Sequence, residues 1–248
     1  MSGSKATQYP PQDGAYAVKV KNGAGWNAFD TARLQISVGQ PYHEGDKLAA
    51  TADWVRHRFG RVIVCVNDTL QRFNHEFESG LSPPHAFQNA ERDGADWIAR
   101  NGELLASLPH VEVHRWEDWK IWPDFARSMG DTQRFYEENA TFRAAVADNI
   151  AAFWARRSKA GDLRGPFRYG EFARLSRAYL LEETAIFSQM FKRDRAVDIY
   201  PGSVLLPCTL FQGQRVPGMP EGLDQGAFTR IDFARRQNAI PQPSPVAA

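Results

Sequence analysis

Short apolar runs alternate with longer amphipathic stretches along most of the chain. Alternating or continuous apolar residues are typical of strands, whereas apolar residues that recur every three or four positions are typical of helices. The pattern predicts strands at 15–20, 33–38, 61–66 and 110–114, a strand-like run at 203–211, and helices at 46–59, 83–108, 131–158 and 168–193. Asp46 is the predicted N-cap of the first helix. This alternation predicts an α/β fold, a Rossmann-like three-layer α/β/α arrangement around a mainly parallel sheet.

The two ends of the chain differ in composition from the middle. Residues 1–14 are polar and rich in Gly, Pro and Ser, and residues 236–248 carry the run Pro-Gln-Pro-Ser-Pro. Such compositions favour disordered tails. Residues 15–235 are then expected to form a single Rossmann-like domain, and no internal repeat divides it.

One predicted strand ends in a serine. Ile36 and Val38 favour extended backbone, and Gly39 with Pro41 then forces a turn. Ser37 therefore lies at the carboxyl end of a strand, where open α/β sheets bind their ligands. Its hydroxyl either caps the turn or acts as a nucleophile.

The helix around residues 170–192 carries a polar pair within an apolar face. Its apolar stripe comprises Phe172, Leu175, Tyr179, Ile186 and Met190. Glu183 continues this stripe, and Glu182 is rotated from it by about 100°, so one of the two glutamates is expected to face the apolar side. A carboxylate there raises its pKa or binds a cation, which makes it a functional candidate. The alternative is a structural hydrogen bond between Tyr179 and Glu183.

A second tyrosine precedes a turn. Pro201 favours extended backbone at Tyr200, and Pro201-Gly202 favours a turn, which places Tyr200 at a strand end or loop mouth.

Several common chemistries lack their sequence signals. Gly23 to Ala28 matches the dinucleotide pattern G-x-G-x-x-A, but the next strand follows too soon for a crossover helix. No P-loop motif is present. A serine-hydrolase elbow requires a histidine late in the chain, and no histidine follows His114. His110 and His114 have no third partner at zinc-binding spacing, so no metal site is predicted.

Composition and charge narrow the class of protein further. The chain is 43% hydrophobic, which supports a packed core, and its formal net charge is +1. No apolar stretch approaches a membrane span and no signal sequence is evident, so we expect a cytoplasmic protein. Cys65 and Cys208 lie in apolar runs and are predicted to be buried thiols in a reducing compartment. Acidic residues outnumber basic ones over 74–138, whereas basic residues outnumber acidic ones over 156–195.

Three segments together resemble the cyclodipeptide synthase family. They are Ile36-Ser37-Val38-Gly39-Gln40 with Tyr42 close behind, Tyr179-Leu180-Leu181-Glu182-Glu183, and Tyr200-Pro201, with an Asp68–Asn74 loop between the first two. The likeness spans about residues 30 to 212. Gln40, Tyr200 and Pro201 match the branch of the family that carries a variable residue, Tyr and Pro at its three marker positions.

The resemblance implies a domain similar to the catalytic core of class I aminoacyl-tRNA synthetases. Members of the family use two aminoacyl-tRNAs to form a cyclic dipeptide, without ATP, metal or other cofactor. By this resemblance Ser37 accepts the first aminoacyl group, and Tyr179 with Glu183 holds its amino group. Glu183 is also a possible base, and Tyr200 positions the acyl chain and assists proton transfer.

Residue chemistry is compatible with these implied roles. An aminoacyl ester is already activated, so a serine without a histidine partner is a plausible nucleophile. Polyanionic substrates need a basic surface. The basic candidates are Arg156, Arg157, Lys159, Arg164 and Arg168, then Lys192, Arg193 and Arg195, with Arg92 and Arg100 on the preceding long helix.

The strand's own periodicity suggests a specificity pocket. Residues two and four before Ser37 share its face, which selects Gln35 and Arg33. Cys65 and Asn67 are expected to line the same pocket from the next strand, with Gln40 close to the turn. This would be a polar pocket that favours a polar or charged first amino acid. Two other functions remain open: a non-catalytic tRNA-binding relative of the synthetase core, and a serine esterase.

Overall fold

A six-stranded sheet with helices on both faces forms the protein. The computed structural model describes residues 14–22, 25–159, 168–201 and 207–236. Its strands are β1 (Tyr16–Asn22), β2 (Thr31–Ser37), β3 (Arg61–Asn67), β4 (Val111–Arg115), β5 (Val197–Pro201) and β6 (Phe228–Arg235). They lie in the order β1-β6-β5-β2-β3-β4, and every neighbouring pair is parallel except β1 and β6. The predicted Rossmann-like, mainly parallel sheet is confirmed.

Seven α-helices cover the sheet in the described part of the chain. They are α1 (Gly45–Arg56), α2 (Arg72–Ser79), α3 (Pro83–Ala106), α4 (Trp116–Lys120), α5 (Phe125–Glu138), α6 (Ala140–Lys159) and α7 (Tyr169–Arg193). None of these helices is long and apolar enough to cross a membrane.

The alternation of side chains along the strands produces two separate cores. On one face, Leu34, Ile36 and Val64 pack with residues of α1 and α3, including Trp54 and Trp97. On the other, β3 residues such as Cys65 pack with α2 and α4–α7. Successive strand residues point to opposite faces, so the sheet is buried between two helical layers. The predicted three layers follow from this arrangement.

Helix α7 lies at the centre of the second core. Every residue from Leu180 to Phe191 is buried, so this part of the helix is enclosed on all sides. Phe187 stacks on Phe191 at 5.5 Å between ring centroids, and both contact Phe228 of β6. The single apolar stripe predicted for this helix is therefore correct only for its first half.

Some predicted helix boundaries are wrong. The first helix begins at Gly45, so Asp46 lies in its first turn and is not its N-cap. The predicted helix over 131–158 is two helices, because Asn139 is extended and its Oδ1 accepts a hydrogen bond from Phe142 N (2.9 Å), which caps α6.

Other local predictions also change. Asn74 lies within α2, and the turn before it is a short 3-10 helix capped by Asp68, whose carboxylate accepts from Thr69 N. Residues 207–211 form a 3-10 helix instead of a strand, because Pro207 cannot donate to a strand ladder. Trp26–Ala28 is likewise one 3-10 turn, too short for a dinucleotide-binding crossover.

Several expectations fall outside the described residues. These are the tails, apart from their inner residues 14 and 236, the start of the strand-like run at 203–206, the Cys208 side chain and Arg164.

Candidate active site

A cavity of about 660 Å³ opens between helices α2, α6 and α7 and the carboxyl ends of β2, β3 and β5. Parallel strands bring their carboxyl ends to one edge of the sheet, which is where such cavities form. The cavity collects the following sequence-predicted residues: Gln35, Ser37, Gln40, Asn67, Arg156, Arg157, Tyr179, Glu183 and Tyr200.

Ser37 is the last residue of β2, and its hydroxyl faces the cavity. The turn after it is closed by a hydrogen bond from Gln40 N to Ser37 O (3.2 Å), and Gly39 adopts a φ of 84° that few other residues tolerate. Ser37 Oγ lies 3.2 Å from Tyr200 Oη. Tyr200 Oη in turn lies 2.7 Å from Tyr42 Oη. The serine hydroxyl is thus at the end of a row of three hydroxyl groups.

His43 contacts the backbone of Ser37, a role that no pattern in the sequence predicts. Its Nδ1 accepts a hydrogen bond from Ser37 N (2.9 Å), and its backbone oxygen accepts one from Trp97 Nε1 (2.9 Å). Burial lowers the pKa of His43 to about 4, so the ring is neutral at pH 7. The ring therefore positions the serine backbone and does not contact Oγ as a general base.

Glu183 and Tyr179 face the cavity from α7. No partner of the Glu183 carboxylate is found among the described residues, and burial raises its pKa to about 8. Burial also raises the pKa of Tyr179, and the nearby Glu183 adds to this. Gln71 Nε2 lies 3.5 Å from Tyr179 Oη. The structure thus offers an unpaired carboxyl group beside a neutral phenol, an arrangement suited to binding a cation.

Glu182 is also buried, contrary to the expectation that only one glutamate faces inward. It is 8% exposed, compared with 6% for Glu183. It forms a bidentate ion pair with Arg72, and its Oε1 accepts from Trp116 Nε1 (2.8 Å). Burial tends to raise the pKa of Glu182, but Arg72, Lys120 and Trp116 outweigh this and hold it below its usual value. Both sides of α7 are covered, so periodicity could not separate the two residues.

Arg33 does not line the cavity, and its prediction as a pocket residue is wrong. It is fully buried, its Nη1 pairs with Asp198 Oδ2 (2.9 Å), and its Nη2 donates to the carbonyl oxygens of Met190 and Asp194. It thus joins β2 to β5 and to the last turn of α7, where cations are favoured. Strand periodicity gave the correct face but not the depth.

Gln35 and Asn67 do line the cavity, next to Phe187 and Phe228. Gln35 Nε2 donates to Asp198 Oδ1 (2.7 Å), and Gln35 Oε1 accepts from Asn67 Nδ2 (3.5 Å). Cys65 is fully buried and is absent from the cavity wall, because it packs within the core below. Of the residues predicted for the polar pocket, Gln35, Gln40 and Asn67 therefore line the cavity, together with the rings of Phe187 and Phe228.

The basic candidates separate into groups. Arg156 and Arg157 line the cavity; Arg156 lies over the Phe153 ring, and Arg157 pairs with Glu78 of α2. Lys159 is exposed at the end of α6. Arg168 donates to Phe77 O and lies over its ring, so it fastens α7 to α2.

The remaining basic candidates lie away from the cavity wall. Arg92 and Arg100 are exposed on α3, where Arg92 contacts Asn89 and Arg100 pairs with Glu44. At the far end of α7, Lys192 pairs with Asp124 and Glu221. Arg193 stacks on Trp122, and Arg195 lies near Phe29.

Comparison with protein-family models finds no match, and comparison with curated protein sequences finds no relative. Solved structures do match. A cyclodipeptide synthase from Fluoribacter dumoffii is 22% identical, with 89% of this chain and 100% of that chain covered and a TM-score of 0.76. One from Candidatus Glomeribacter gigasporarum, solved with Phe-tRNAPhe bound, is 18% identical over 88% and 92% of the two chains, with a TM-score of 0.63.

A third match, from Mycobacterium tuberculosis, is described as demonstrating that these enzymes are related to type I tRNA synthetases. It is 14% identical over 93% and 99% of the two chains, with a TM-score of 0.66. These likenesses cover most of the chain, at identities that establish the fold. The resemblance drawn from the sequence motifs is confirmed at that level, and the chain has the fold of the cyclodipeptide synthases.

Proposed function

We propose that this protein is a tRNA-dependent cyclodipeptide synthase that joins two aminoacyl groups through an aminoacyl-Ser37 intermediate. The observation that carries the proposal is that one cavity contains both Ser37, which is hydrogen-bonded to Tyr200, and the Glu183 carboxyl group, which has no partner among the described residues. A serine hydroxyl is a sufficient nucleophile to attack an ester that is already activated. A buried carboxyl group without a protein partner can bind the ammonium group of a substrate.

The reaction exchanges two esters for two amides. Ser37 Oγ first attacks the ester carbonyl of one aminoacyl-tRNA, forming a serine ester and releasing the terminal ribose hydroxyl. The amine of this bound residue then attacks the ester of a second aminoacyl-tRNA, which forms the first amide. The second amine finally attacks the serine ester, closes the ring and frees Ser37. No external energy source is needed, because both esters enter activated.

Glu183 and Tyr179 are proposed to hold the amine of the first aminoacyl group. The α-amino group has a pKa close to 8, like the buried carboxyl group, so one proton is readily shared between them. The carboxylate accepts this proton when the amine must become nucleophilic. Tyr200, at 3.2 Å from Ser37 Oγ, is proposed to position the acyl group and to assist proton transfer.

Arg156 and Arg157 are proposed to bind tRNA phosphates at the cavity mouth. Lys159, Arg164 and Arg168, which follow them closely in the sequence, are proposed as further contacts, and Arg92 with Arg100 as a second, separate contact. Cationic contacts to phosphate make binding dependent on salt. The affinity of the wild type for tRNA should fall as the salt concentration rises. A smaller salt dependence in an Arg156→Ala variant would support this assignment.

The first amino acid is proposed to have a polar side chain. Gln35 and Asn67 present amide groups in the cavity, with the rings of Phe187 and Phe228 beside them. Asn67 Oδ1 is buried without a hydrogen-bond partner among the described residues. A buried acceptor left unpaired costs free energy, so a substrate side chain that donates to it is favoured. Extracts of a bacterial host that expresses the protein would show this preference. A product that contains only aliphatic residues would contradict it.

The central test is transfer of radiolabelled aminoacyl groups from tRNA to the protein. The wild type should form an acid-stable covalent label and then a cyclic product, whereas Ser37→Ala should form neither. Ser107→Ala, which changes an exposed serine at the end of α3, is the matched control and should behave like the wild type. Binding of tRNA without a label would favour a non-catalytic relative. Product formed by Ser37→Ala would refute the assignment of the nucleophile.

A further inference from the structure

Tyr42 completes a row of three hydroxyl groups, and the proposed function gives it no role. Tyr42 Oη lies 2.7 Å from Tyr200 Oη, which lies 3.2 Å from Ser37 Oγ. The two phenol rings meet edge to face, with centroids 5.8 Å apart. Tyr42 also lines the cavity. The Tyr42 hydroxyl group therefore contacts Tyr200, which lies beside the nucleophile, and the Tyr42 side chain borders the cavity where substrate would bind.

The direction of these hydrogen bonds is limited by the number of protons. Each phenol has a single proton to donate. In the arrangement in which Ser37 donates to Tyr200 and Tyr200 donates to Tyr42, the Tyr42 proton is left to point into the cavity. Burial raises the pKa of both phenols, so both are neutral at ordinary pH. In this direction, the row leads from the nucleophile towards the substrate.

The position of Tyr42 is fixed on two sides. It is the middle residue of the 3-10 turn Pro41–His43 that follows Ser37. Its neighbour His43 accepts from Ser37 N, and the His43 ring packs against Tyr42 at 4.7 Å and against Tyr200 at 5.6 Å. The serine, the two phenols and the imidazole are thus one packed unit, and the row of hydroxyl groups is preorganised before substrate binds.

We propose that Tyr42 is the outer member of a two-phenol proton relay that serves acylation of Ser37; this rests on the proposed function. Ser37 Oγ forms a bond to the ester carbonyl carbon as its proton passes to Tyr200 Oη. The Tyr200 proton passes to Tyr42 Oη, and the Tyr42 proton passes to the ribose oxygen as its bond to that carbon breaks. Both phenols end neutral and no proton is gained or lost.

The relay supplies what the site otherwise lacks. No histidine contacts Ser37 Oγ, because His43 is committed to the backbone N–H. A serine proton needs an acceptor as Oγ becomes bonded to carbon, and the leaving ribose oxygen needs a donor. A concerted relay meets both needs without leaving a charged phenol in a buried site. Positioned proton transfer of this kind contributes about 100- to 10,000-fold to rate.

The test is a single-turnover measurement of covalent labelling with wild-type protein and a Tyr42→Phe variant. Phenylalanine keeps the ring that packs on His43 and Tyr200 and removes only the hydroxyl group. Labelling by Tyr42→Phe should be slower by about 100-fold or more. Tyr16→Phe is the matched control, since Tyr16 lies on edge strand β1 with its ring against Phe233, and it should label at the wild-type rate.

A second measurement separates a relay from simple packing. Replacing Tyr42 alone by a fluorinated tyrosine keeps the hydroxyl group but lowers its pKa. A relay residue should then change the rate of labelling at a fixed pH, whereas a packing residue should leave that rate unchanged.

The outcomes distinguish the relay from the proposed function. Labelling of the wild type with an unchanged rate in Tyr42→Phe overturns the relay and leaves the proposed function standing. A slowed Tyr42→Phe with no response to fluorination also overturns it. Absence of label from the wild type with every aminoacyl-tRNA overturns the proposed function itself, and the relay with it.

Discussion

Glu182 and Glu183 are consecutive on α7 and almost equally buried, yet their surroundings differ completely. Glu182 is held by Arg72, Lys120 and Trp116 between α2 and α4, and its pKa is lowered. Glu183 faces the cavity without such partners, and burial raises its pKa to about 8. One side of the helix is a satisfied ion-pair cluster, whereas the other holds an ionisable group whose charge no residue in the described part of the chain compensates.

The difference separates a structural carboxylate from a functional candidate. Burial of a charged group without a partner destabilises a protein, so such groups concentrate where a ligand supplies the partner. Burial alone therefore does not identify a site residue. The informative property is burial without compensation, and three expected effects test whether it divides these two glutamates correctly.

The largest expected effect is that of Glu183→Gln on activity. Loss of the carboxylate that binds the substrate amine and accepts its proton should lower product formation by about 100- to 10,000-fold. The same change should stabilise the fold at alkaline pH, because it removes the cost of ionising a buried acid. With a pKa near 8 instead of 4.5, this cost is on the order of 5 kcal/mol above pH 8. Chemical denaturation at pH 8.5, alongside an activity assay, measures both.

The pH dependence of the Glu183→Gln effect has a definite sign. The folded wild type holds the Glu183 proton more tightly than the unfolded chain does, so its stability falls as pH rises from about 4.5 through about 8. The stabilisation by Gln should therefore vanish in acid and grow towards pH 8. Activity of the wild type should rise through about pH 8 as the carboxylate forms, and this step should be missing in the variant. A variant that is less stable at pH 8.5 than the wild type would contradict the uncompensated state of Glu183.

The second effect is a loss of stability in Glu182→Gln. This change leaves the Arg72 guanidinium buried without its charge partner, which typically costs about 3–5 kcal/mol. The lowered pKa means that the cost is present above the pKa of the unfolded acid and is lost as pH falls through the folded value. Denaturation at pH 7 measures the loss.

Activity and a double variant complete the test of Glu182. At a temperature where Glu182→Gln is folded, its activity per folded molecule should stay within about tenfold of wild type, since it does not line the cavity. Replacing Arg72 and Glu182 together by Met should restore part of the stability, because no lone charge remains. Loss of activity as severe as in Glu183→Gln would show that the two sides of α7 are not functionally distinct.

The same contrast explains what the sequence can and cannot predict. The strands β2 and β3 and the long α7 follow from local patterns, and the motif segments at Ser37, Tyr179 and Tyr200 meet in one cavity as expected. Arg33 was misplaced because its partner Asp198 is 165 residues away in the chain, a distance over which periodicity carries no information. Tyr42 and His43 lie directly beside Ser37, yet only the folded turn shows which groups they contact.

A helix boundary and a strand also differ from the sequence-based prediction. Asn139 ends one helix and caps the next through its side chain, and no neighbouring proline or glycine marks this break in the sequence. Strand β6 carries charged residues among its apolar ones and was not predicted; one of them, Asp232, pairs with Lys21 of β1. The cap joins residues only three positions apart, whereas Lys21 and Asp232 become neighbours only after folding.

The smallest expected effect is that of Lys120→Met, which tests how the Glu182 cluster is compensated. Lys120 Nζ lies 3.8 Å from Glu182 Oε1 and also 3.1 Å from Glu117 Oε1, and its side chain is only partly buried. Arg72, by contrast, meets both carboxylate oxygens. A partly exposed ion pair is worth about 0–1 kcal/mol, so the variant should lose roughly 2–4 °C in Tm at most and keep its activity. A loss from Lys120→Met equal to that from Arg72→Met would show that the two cations share the carboxylate. In that case Glu182 would depend on a solvent-screened charge and would be less fully compensated than its bidentate pair with Arg72 implies.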